Sequence, residues 1–451
     1  MTYFFKSTLF QMGFWVTWAL IPICVEIIPA LITAIKVVYV HLHARVQNSL
    51  AKQLPGITII VPVYNSESTL YRCLRSISDS YYDKSHIQIL VADNGSTDQS
   101  TSVYQKARND FSNLNIQYLQ SRRGKANALN DAIYMAIGKY IINIDSDGVL
   151  EKHALHNIVS YLERDQNLSA MTGTILTQKK AIQATSSWWL RLLQKNEYFE
   201  YTQAFLSGRI MEASRQELFT LSGAFSAFRR SELLKTNLYN PDTVGEDTDI
   251  TYQLRQLSNT KIGFCADAIF FSEPISGLNE LYTQRQRWQR GEIEVMSKFE
   301  NQQANLKYFF RNFSIRRLVV DHTFVFPKMI WLFASLVLVI LGYSLQTLLL
   351  SYVIIYLLYL LLGIVNFISV ASVMTLFPKE NPFYLSLWWC ILTLPIYNFL
   401  CSWIRLIGII NSASSSHKAW TTDNFSHEMT IVKTVLVHDL QKLKRNIGYK
   451  K

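Results

Sequence analysis

Charge is scarce in this chain: 17% of its 451 residues are Asp, Glu, Lys or Arg, against 49% hydrophobic, and polar and apolar stretches are sharply segregated. That composition excludes a disordered chain, which could not bury enough apolar surface to order itself. Cysteine is also sparse. Five residues, Cys24, Cys73, Cys265, Cys390 and Cys401, are scattered without a C-x-x-C pair, which excludes a disulfide framework and a structural zinc site. A reduced, cytosol-facing main domain is the natural reading. The nine histidines, His41, His43, His153 and His322 among them, show no H-E-x-x-H or other ligand spacing, so no histidine metal site is expected. No G-x-G-x-x-G opens a helix after the first predicted strand and no G-x-x-x-x-G-K-[S/T] occurs. Dinucleotide and P-loop readings therefore both fail.

What is present begins with a net charge of +11, from 44 Lys and Arg against 33 Asp and Glu. Nucleic acid, anionic headgroups or an anionic substrate would each suit it. The basic residues gather around apolar blocks and in one arginine motif, which disfavours nucleic acid. No charged residue lies between Lys328 and Lys379; a helix crosses a bilayer with about 20 residues, so this interval is long enough for two spans. They are expected at Phe324–Tyr343 and Thr347–Phe367, with Gly342–Gln346 as the turn. A third charge-free block, Tyr384–Ile404, carries Trp388 and Trp389 at one end and is interrupted by Pro395, which membrane helices tolerate.

At the other end, Gly13–Val40 is apolar apart from Glu26 and Lys36, and reads as a retained anchor, one span or a bent pair around Pro22 and Pro29. Glu26 is either an acid near a proline kink facing other helices or the lining of a polar path. The expected organisation is an N-terminal membrane anchor at 1–50, a cytosolic catalytic domain at 51–300 and an interfacial amphipathic helix at 301–322, built on the mixed apolar and basic stretch Asn305–Val320. About three transmembrane helices at 323–410 and a basic tail at 411–451 follow. The tail's seven Lys and Arg against three acids favour the cytoplasmic side. Three spans after a cytosolic domain put it outside, so the parity stays open.

Between the anchors, short β-branched runs alternate with helical stretches, the pattern of an α/β domain with a doubly wound, mainly parallel sheet. Strands are expected at Ile57–Pro62, Ile87–Ala92, Ile116–Leu119 and Tyr140–Ile144, and helices at Ser68–Ser78, Ser100–Asp110 and Ala126–Ala136. Ligands in such folds sit at the carboxyl ends of strands. Here the strands run into Tyr64–Asn65, Asp93–Asp98 and Asp145–Ser146–Asp147.

The last of these places two carboxylates at alternate positions, where they can converge on a hard divalent cation that also holds phosphate oxygens. A lone D-x-D is weak, because acidic turns are common. Its context adds to it: Lys125 follows Ser121–Gly124 ahead of a helix whose N-terminus could meet an anion. Gly245–Asp249 is an acidic turn before a helix, and Gln284–Gly291 sets three arginines around Trp288. A diphosphate-bearing substrate would explain carboxylates and guanidinium groups in one domain.

In order and spacing, V-P-V-Y-N (Val61–Asn65), D-N-G-S-T-D (Asp93–Asp98), R-G-K-A-N-A-L-N (Arg123–Asn130), D-S-D (Asp145–Asp147), S-G-A-F (Ser222–Phe225), G-E-D (Gly245–Asp247) and Q-R-Q-R-W (Gln284–Trp288) form one series. It resembles the membrane-embedded, processive members of glycosyltransferase family 2, the cellulose, hyaluronan, chitin and poly-N-acetylglucosamine synthases. The resemblance covers roughly Ile57 to Gly291 and continues into the flanking spans. It implies a GT-A-type fold inserted between transmembrane helices of a multi-pass cell-membrane protein with a cytoplasmic catalytic domain. It also implies a nucleotide-sugar donor, usually UDP-linked, and Mg²⁺ or Mn²⁺. By position, Asp93 would contact the nucleobase, Lys125 the diphosphate region, and Asp145 and Asp147 the phosphates through the metal. Asp247 would be the catalytic base, with Gln284, Arg287, Trp288 and Arg290 at the leaving group and acceptor. Many relatives carry two acids where this chain has Asp93–Asn94, so the expectation rests on Asp93.

Plainer readings stand beside these. Trp288 also suits an interfacial or core tryptophan, Arg285 and Arg290 suit solvated helix charges, and Trp188–Trp189 suit packing or headgroup contact. The leading function is an inverting transferase that extends a polysaccharide and passes it through its own spans. Its partners would be the donor, the growing glycan or a lipid-linked acceptor, membrane lipid and an accessory membrane subunit. One alternative adds a single sugar to a polyprenyl-phosphate lipid; relatives that transfer once generally lack the Gln284–Trp288 motif. The other is a non-catalytic membrane partner, against which stands the presence of Asp147, Asp247 and Arg287.

Overall fold

The computed structural model describes residues 23–43, 54–257, 261–299, 313, 325–342 and 344–414. The expected interfacial helix, apart from Phe313, and the basic tail beyond Ser414 lie outside the described residues.

The first strand, β1 (Ile57–Val63), is a near-continuous run of β-branched residues and is buried along its whole length, as a strand covered on both faces must be. It pairs in parallel with β2 (Ile87–Asp93) on one side and β4 (Tyr140–Ile144) on the other, and β2 pairs in parallel with β3 (Asn115–Gln120). Alternation sends Ile57, Ile59 and Val61 to one face, against the helices Leu70–Ser78 and Ala154–Arg164, and Ile60 to the other, with Leu129, Ile133, Ile250 and Leu254. Each fully buried aliphatic side chain contributes about 1.5–3 kcal/mol. The two covered faces make the sheet a rigid platform for its strand-end loops.

Beyond β4 the sheet is mixed. The full order is β3-β2-β1-β4-β7-β6-β8-β5, where β5 is Val149–Leu150, β6 Leu168–Thr177, β7 Phe225–Arg229 and β8 Lys261–Ser272. Strand β7 runs antiparallel to both β4 and β6, while β6 and β8 are parallel. The expected mainly parallel sheet thus holds for its first half only. The reason is the path of the chain: β7 begins at the edge where β6 ends, so residues 178–224 stay at the strand-end side and form a wall there. That wall contains the Trp188–Thr202 helix, which Ser187 opens by accepting the Leu190 N–H at 3.4 Å.

The apolar helices dock on this wall. Phe199 stacks on Phe367 and Tyr384, with ring centroids 6.0 and 5.6 Å apart. A first helix, Val325–Ile340, turns at Gly342, whose φ of 83° suits glycine, into the long helix Leu345–Met374. Among the described residues one helix stretch, Leu348–Met374, is long and apolar enough to cross a bilayer, with most of it facing outward. The expected third span at Tyr384–Ile404 is corrected: the block is broken into a short helix Asn381–Ser386, a 3₁₀ turn Trp388–Leu392 and a helix Leu394–Ser414. Pro395 is not a mid-span kink but the second residue of that last helix, where a missing N–H costs no hydrogen bond. Glu26 faces the long helix, accepting from Tyr359 Oη at 3.2 Å.

Candidate active site

At the ends of β1 and β2 the two loops are stitched together. The Asn65 side chain accepts the Thr97 N–H at 2.8 Å, and the Asn65 N–H donates to Ser96 Oγ at 3.0 Å. Asp93 is buried and organises the turn: Oδ1 accepts from Ser96 N and Oγ at 2.9 and 2.6 Å, and Oδ2 accepts from Tyr118 Oη. One lone pair of Oδ2 remains for a ligand.

Gly124, at φ 116°, turns the chain into the Lys125–Met135 helix, which brings Lys125 Nζ to 2.6 Å from Asp145 Oδ1. Burial opposes the lysine's charge, but Asp145 and then Glu246 hold its pKa above the ordinary value. Between the two acids of the β4 turn, Ser146 Oγ bonds Ser66 Oγ at 2.8 Å and fixes the turn to the β1 loop. Desolvation, and then the neighbouring Asp145, push the Asp147 carboxyl up to about 6. Among the described residues no group of three or more His, Cys, Asp or Glu could hold a metal alone. Asp145 and Asp147 offer two hard oxygen donors with one cation, Lys125, between two carboxylates, which fits a divalent cation completed by phosphate oxygens.

Asp247 reaches the same place from another element. The Glu246–Gln256 helix carries Glu246, Asp247 and Asp249 in its first turn, where the helix dipole favours them. Asp247 Oδ2 accepts the Gly223 N–H at 3.2 Å and Oδ1 the Thr248 N–H at 2.8 Å. A Cβ built on Gly223 would sit 3.4 Å from Asp247 Oδ2 and 3.4 Å from Lys125 Nζ, so carboxylate and ammonium share one bare stretch of backbone. Desolvation raises the Glu246 pKa; Lys125 counters it and the Asp247 charge adds to it.

The arginine motif lies on the Leu278–Phe299 helix. Gly291 comes so close to Gly245 that a Cβ on either would lie 2.8 Å from the other's Cα; only glycines allow this helix to touch the Asp247 turn. Arg287 and Trp288 are exposed to a cavity of ≈ 260 Å³ that Asp247 also lines. Gln284 accepts from Tyr201 Oη at 3.4 Å. Arg290 instead pairs with Glu294 at 2.6 Å, and Glu294 accepts from Thr243 Oγ1 and Val244 N. Arg290 thereby braces the segment before Asp247.

Arg285, which from sequence suits a solvated helix charge, has a different place. It is buried, pairs with Glu200 at 2.6 Å and lies 4.4 Å from the Trp288 ring centroid, so it sets the indole's position. Glu200 and Tyr201 line the same cavity. The signal was present as a Glu and a Tyr one residue apart in an amphipathic helix, but their partner is distant in sequence.

Residues 58–234 match the family model for glycosyl transferase family 2. A poly-β-1,6-N-acetyl-D-glucosamine synthase of Staphylococcus aureus (strain COL) is 26% identical over 268 residues, 57% of this chain and 61% of that protein. The corresponding synthase of Staphylococcus epidermidis is 26% identical over 246 residues, 54% of this chain and 56% of that protein. The chain thus spans under two thirds of the length of the curated relatives it matches. A mannosyltransferase of Pyrobaculum calidifontis, solved with GDP-Man and Mn²⁺, superposes with a TM-score of 0.50 at 14% identity, covering 86% of this chain and 100% of that one. That likeness bears on the fold alone. Residues 58–234 thus carry a domain of the glycosyl transferase family 2 type within the longer chain.

Proposed function

We propose that the protein is an inverting glycosyltransferase that takes a sugar from a nucleotide donor, a UDP-sugar as the sequence resemblance implies, and extends a polysaccharide at the membrane. The observation that carries this reading is the convergence at Gly223, where Asp247 and the Lys125–Asp145 pair meet across one backbone position. The names of the staphylococcal synthases add weight to polymer extension.

In this reading Asp247 takes the proton of an acceptor hydroxyl, whose oxygen attacks the anomeric carbon. The bond from that carbon to the donor phosphate breaks, and its electron pair leaves with the nucleoside diphosphate. The two backbone N–H groups on Asp247 hold the carboxylate in place, and position matters first for a general base. Lys125 and Arg287 meet the charge that develops on the leaving group, a term that is often the largest in catalysis. A divalent cation held by Asp145 and Asp147 would supply further charge neutralisation there. Trp288, held by Arg285, offers an indole face to the acceptor sugar.

Translocation is proposed through the apolar helices. The arginine helix is tied to Leu394–Ser414 by Gln286 Nε2 donating to the Ile404 carbonyl at 2.8 Å, so the acceptor cavity opens beside that bundle. The test is a donor screen on the full chain in lipid nanodiscs with Mg²⁺ or Mn²⁺, reading nucleoside-diphosphate release and product length. One UDP-sugar should be turned over into products of many lengths. A single lipid-linked product would replace polymerisation by one-step transfer, and no release with any donor would remove the reading.

A further inference from the structure

The cavity beside Asp247 holds more positive charge than the proposed chemistry uses. Four arginines line it, Arg209, Arg285, Arg287 and Arg405, against three carboxylates, Glu200, Asp247 and Glu292. Arg285 is taken by Glu200 at 2.6 Å. Arg209 donates to Thr172 Oγ1 at 3.0 Å and lies over the Phe205 ring. Arg287 shares the field of Glu246 and Lys125, on the donor side.

Arg405 is different. It projects from the apolar helix Leu394–Ser414 and is half-buried, yet no hydrogen bond or ion pair holds its guanidinium among the described residues. An ionised side chain on an apolar helix is costly unless it meets an opposite charge. Its height is fixed by the neighbouring Gln286–Ile404 hydrogen bond, and Gly408 lies against the Gln286 amide on the next turn. Neither Lys125 nor Asp145 lines this cavity, whereas Trp288 does, so Arg405 stands on the acceptor side.

We propose that Arg405 is an anion-binding residue of the acceptor site: the group that enters beside Trp288 carries an oxyanion, phosphate or carboxylate, which the free guanidinium receives. A planar guanidinium matches either oxyanion through paired N–H donors. The assignment of an acceptor side rests on the transferase reading above; the anion site itself does not. Phosphate on a lipid carrier and carboxylate on a sugar share this chemistry, and the test separates them.

The full chain in neutral phosphatidylcholine nanodiscs is titrated with two matched pairs of probes: farnesyl phosphate against farnesol, and a glucuronate-ended against a glucose-ended tetrasaccharide. Wild type should bind the anionic member of one pair at least about tenfold more tightly, as charge-assisted hydrogen bonds do; the pair that shows it identifies the source of the oxyanion. Arg405→Gln should erase that ratio while leaving the neutral probe's affinity as it was, which also reports an intact cavity. Arg405→Lys should retain part of it. Equal affinity within both pairs, or a ratio that persists in Arg405→Gln, overturns the proposal. Arg405-dependent anion binding without nucleoside-diphosphate release from any donor would sink the transferase reading and leave the anion site standing.

Discussion

At the scale of single residues, burial decides which acids carry charge. Glu197 lies on the Trp188–Thr202 helix, is buried, and among the described residues accepts only the Ile275 N–H, at 3.1 Å with Oε2, while Oε1 has no partner there. Desolvation pushes its pKa up to about 8, against which the Ile275 hydrogen bond and Arg285 act only in part. A carboxyl whose pKa is raised by folding stabilises the fold below its unfolded value near 4.5, and that contribution is lost as pH rises towards 8. One unit is worth about 1.4 kcal/mol, so the full effect is on the order of a few kcal/mol. The thermal midpoint should therefore fall between pH 5 and 8.5, and Glu197→Gln should flatten that slope; parallel curves for the two proteins would contradict it. Such a group was not legible in the sequence, where Glu197 is one acid in a mixed helix. The positions of Asp93, Asp145, Asp147 and Asp247 at strand and turn ends were legible from the ordered series of motifs around them, because strand ends of an α/β sheet line one crevice.

At the scale of elements, the Leu278–Phe299 helix is placed by contacts made without side chains. A Cβ on Gly245 or Gly291 would lie 2.8 Å from the other's Cα, which leaves no room for a methyl group on either. Gly291→Ala should push the arginine helix away from the Asp247 turn, lowering stability by about 1–3 kcal/mol as overpacking does. Because Lys125 and Asp145 are untouched, and Arg287 meets charge that develops only as the donor bond breaks, donor affinity should hold while turnover falls, by about tenfold or more for a misplacement of this kind. Unchanged turnover, or a loss of donor affinity of equal size, would show that the contact does not position Asp247 as proposed. Both glycines stood inside recognisable motifs, yet their touching depends on a crossover between distant segments. The same limit applies to the sheet. The β-branched runs of β1, β2 and β4 showed strands, but the antiparallel setting of β7 follows from where the chain returns after residues 178–224. The break at Trp388–Leu392 was hidden for another reason: an apolar block looks alike whether it is one helix or three short pieces.

At the scale of the whole molecule, the sheet domain and the apolar helices share one boundary, with Phe199, Phe367 and Tyr384 in a stack and Gln286 bonded to the Ile404 carbonyl. That boundary sets the cavity lined by Asp247 and Trp288 beside the helix that carries Arg405. If the long helix Leu345–Met374 is a span, as we propose, the full chain should stay with membranes through alkaline carbonate extraction; release into the supernatant would count against it. In the proposed mechanism one crevice divides the labour, with Asp145 on the donor and Asp247 on the acceptor proton. Donor titration and nucleoside-diphosphate release, measured in parallel on wild type, Asp145→Asn and Asp247→Asn, test it most directly. Asp247→Asn should bind donor like wild type while its turnover falls about 100-fold or more, in the range of a lost general base, and Asp145→Asn should lose donor affinity. An Asp247→Asn protein that turns over at the wild-type rate, or that loses the donor as Asp145→Asn does, would contradict the account.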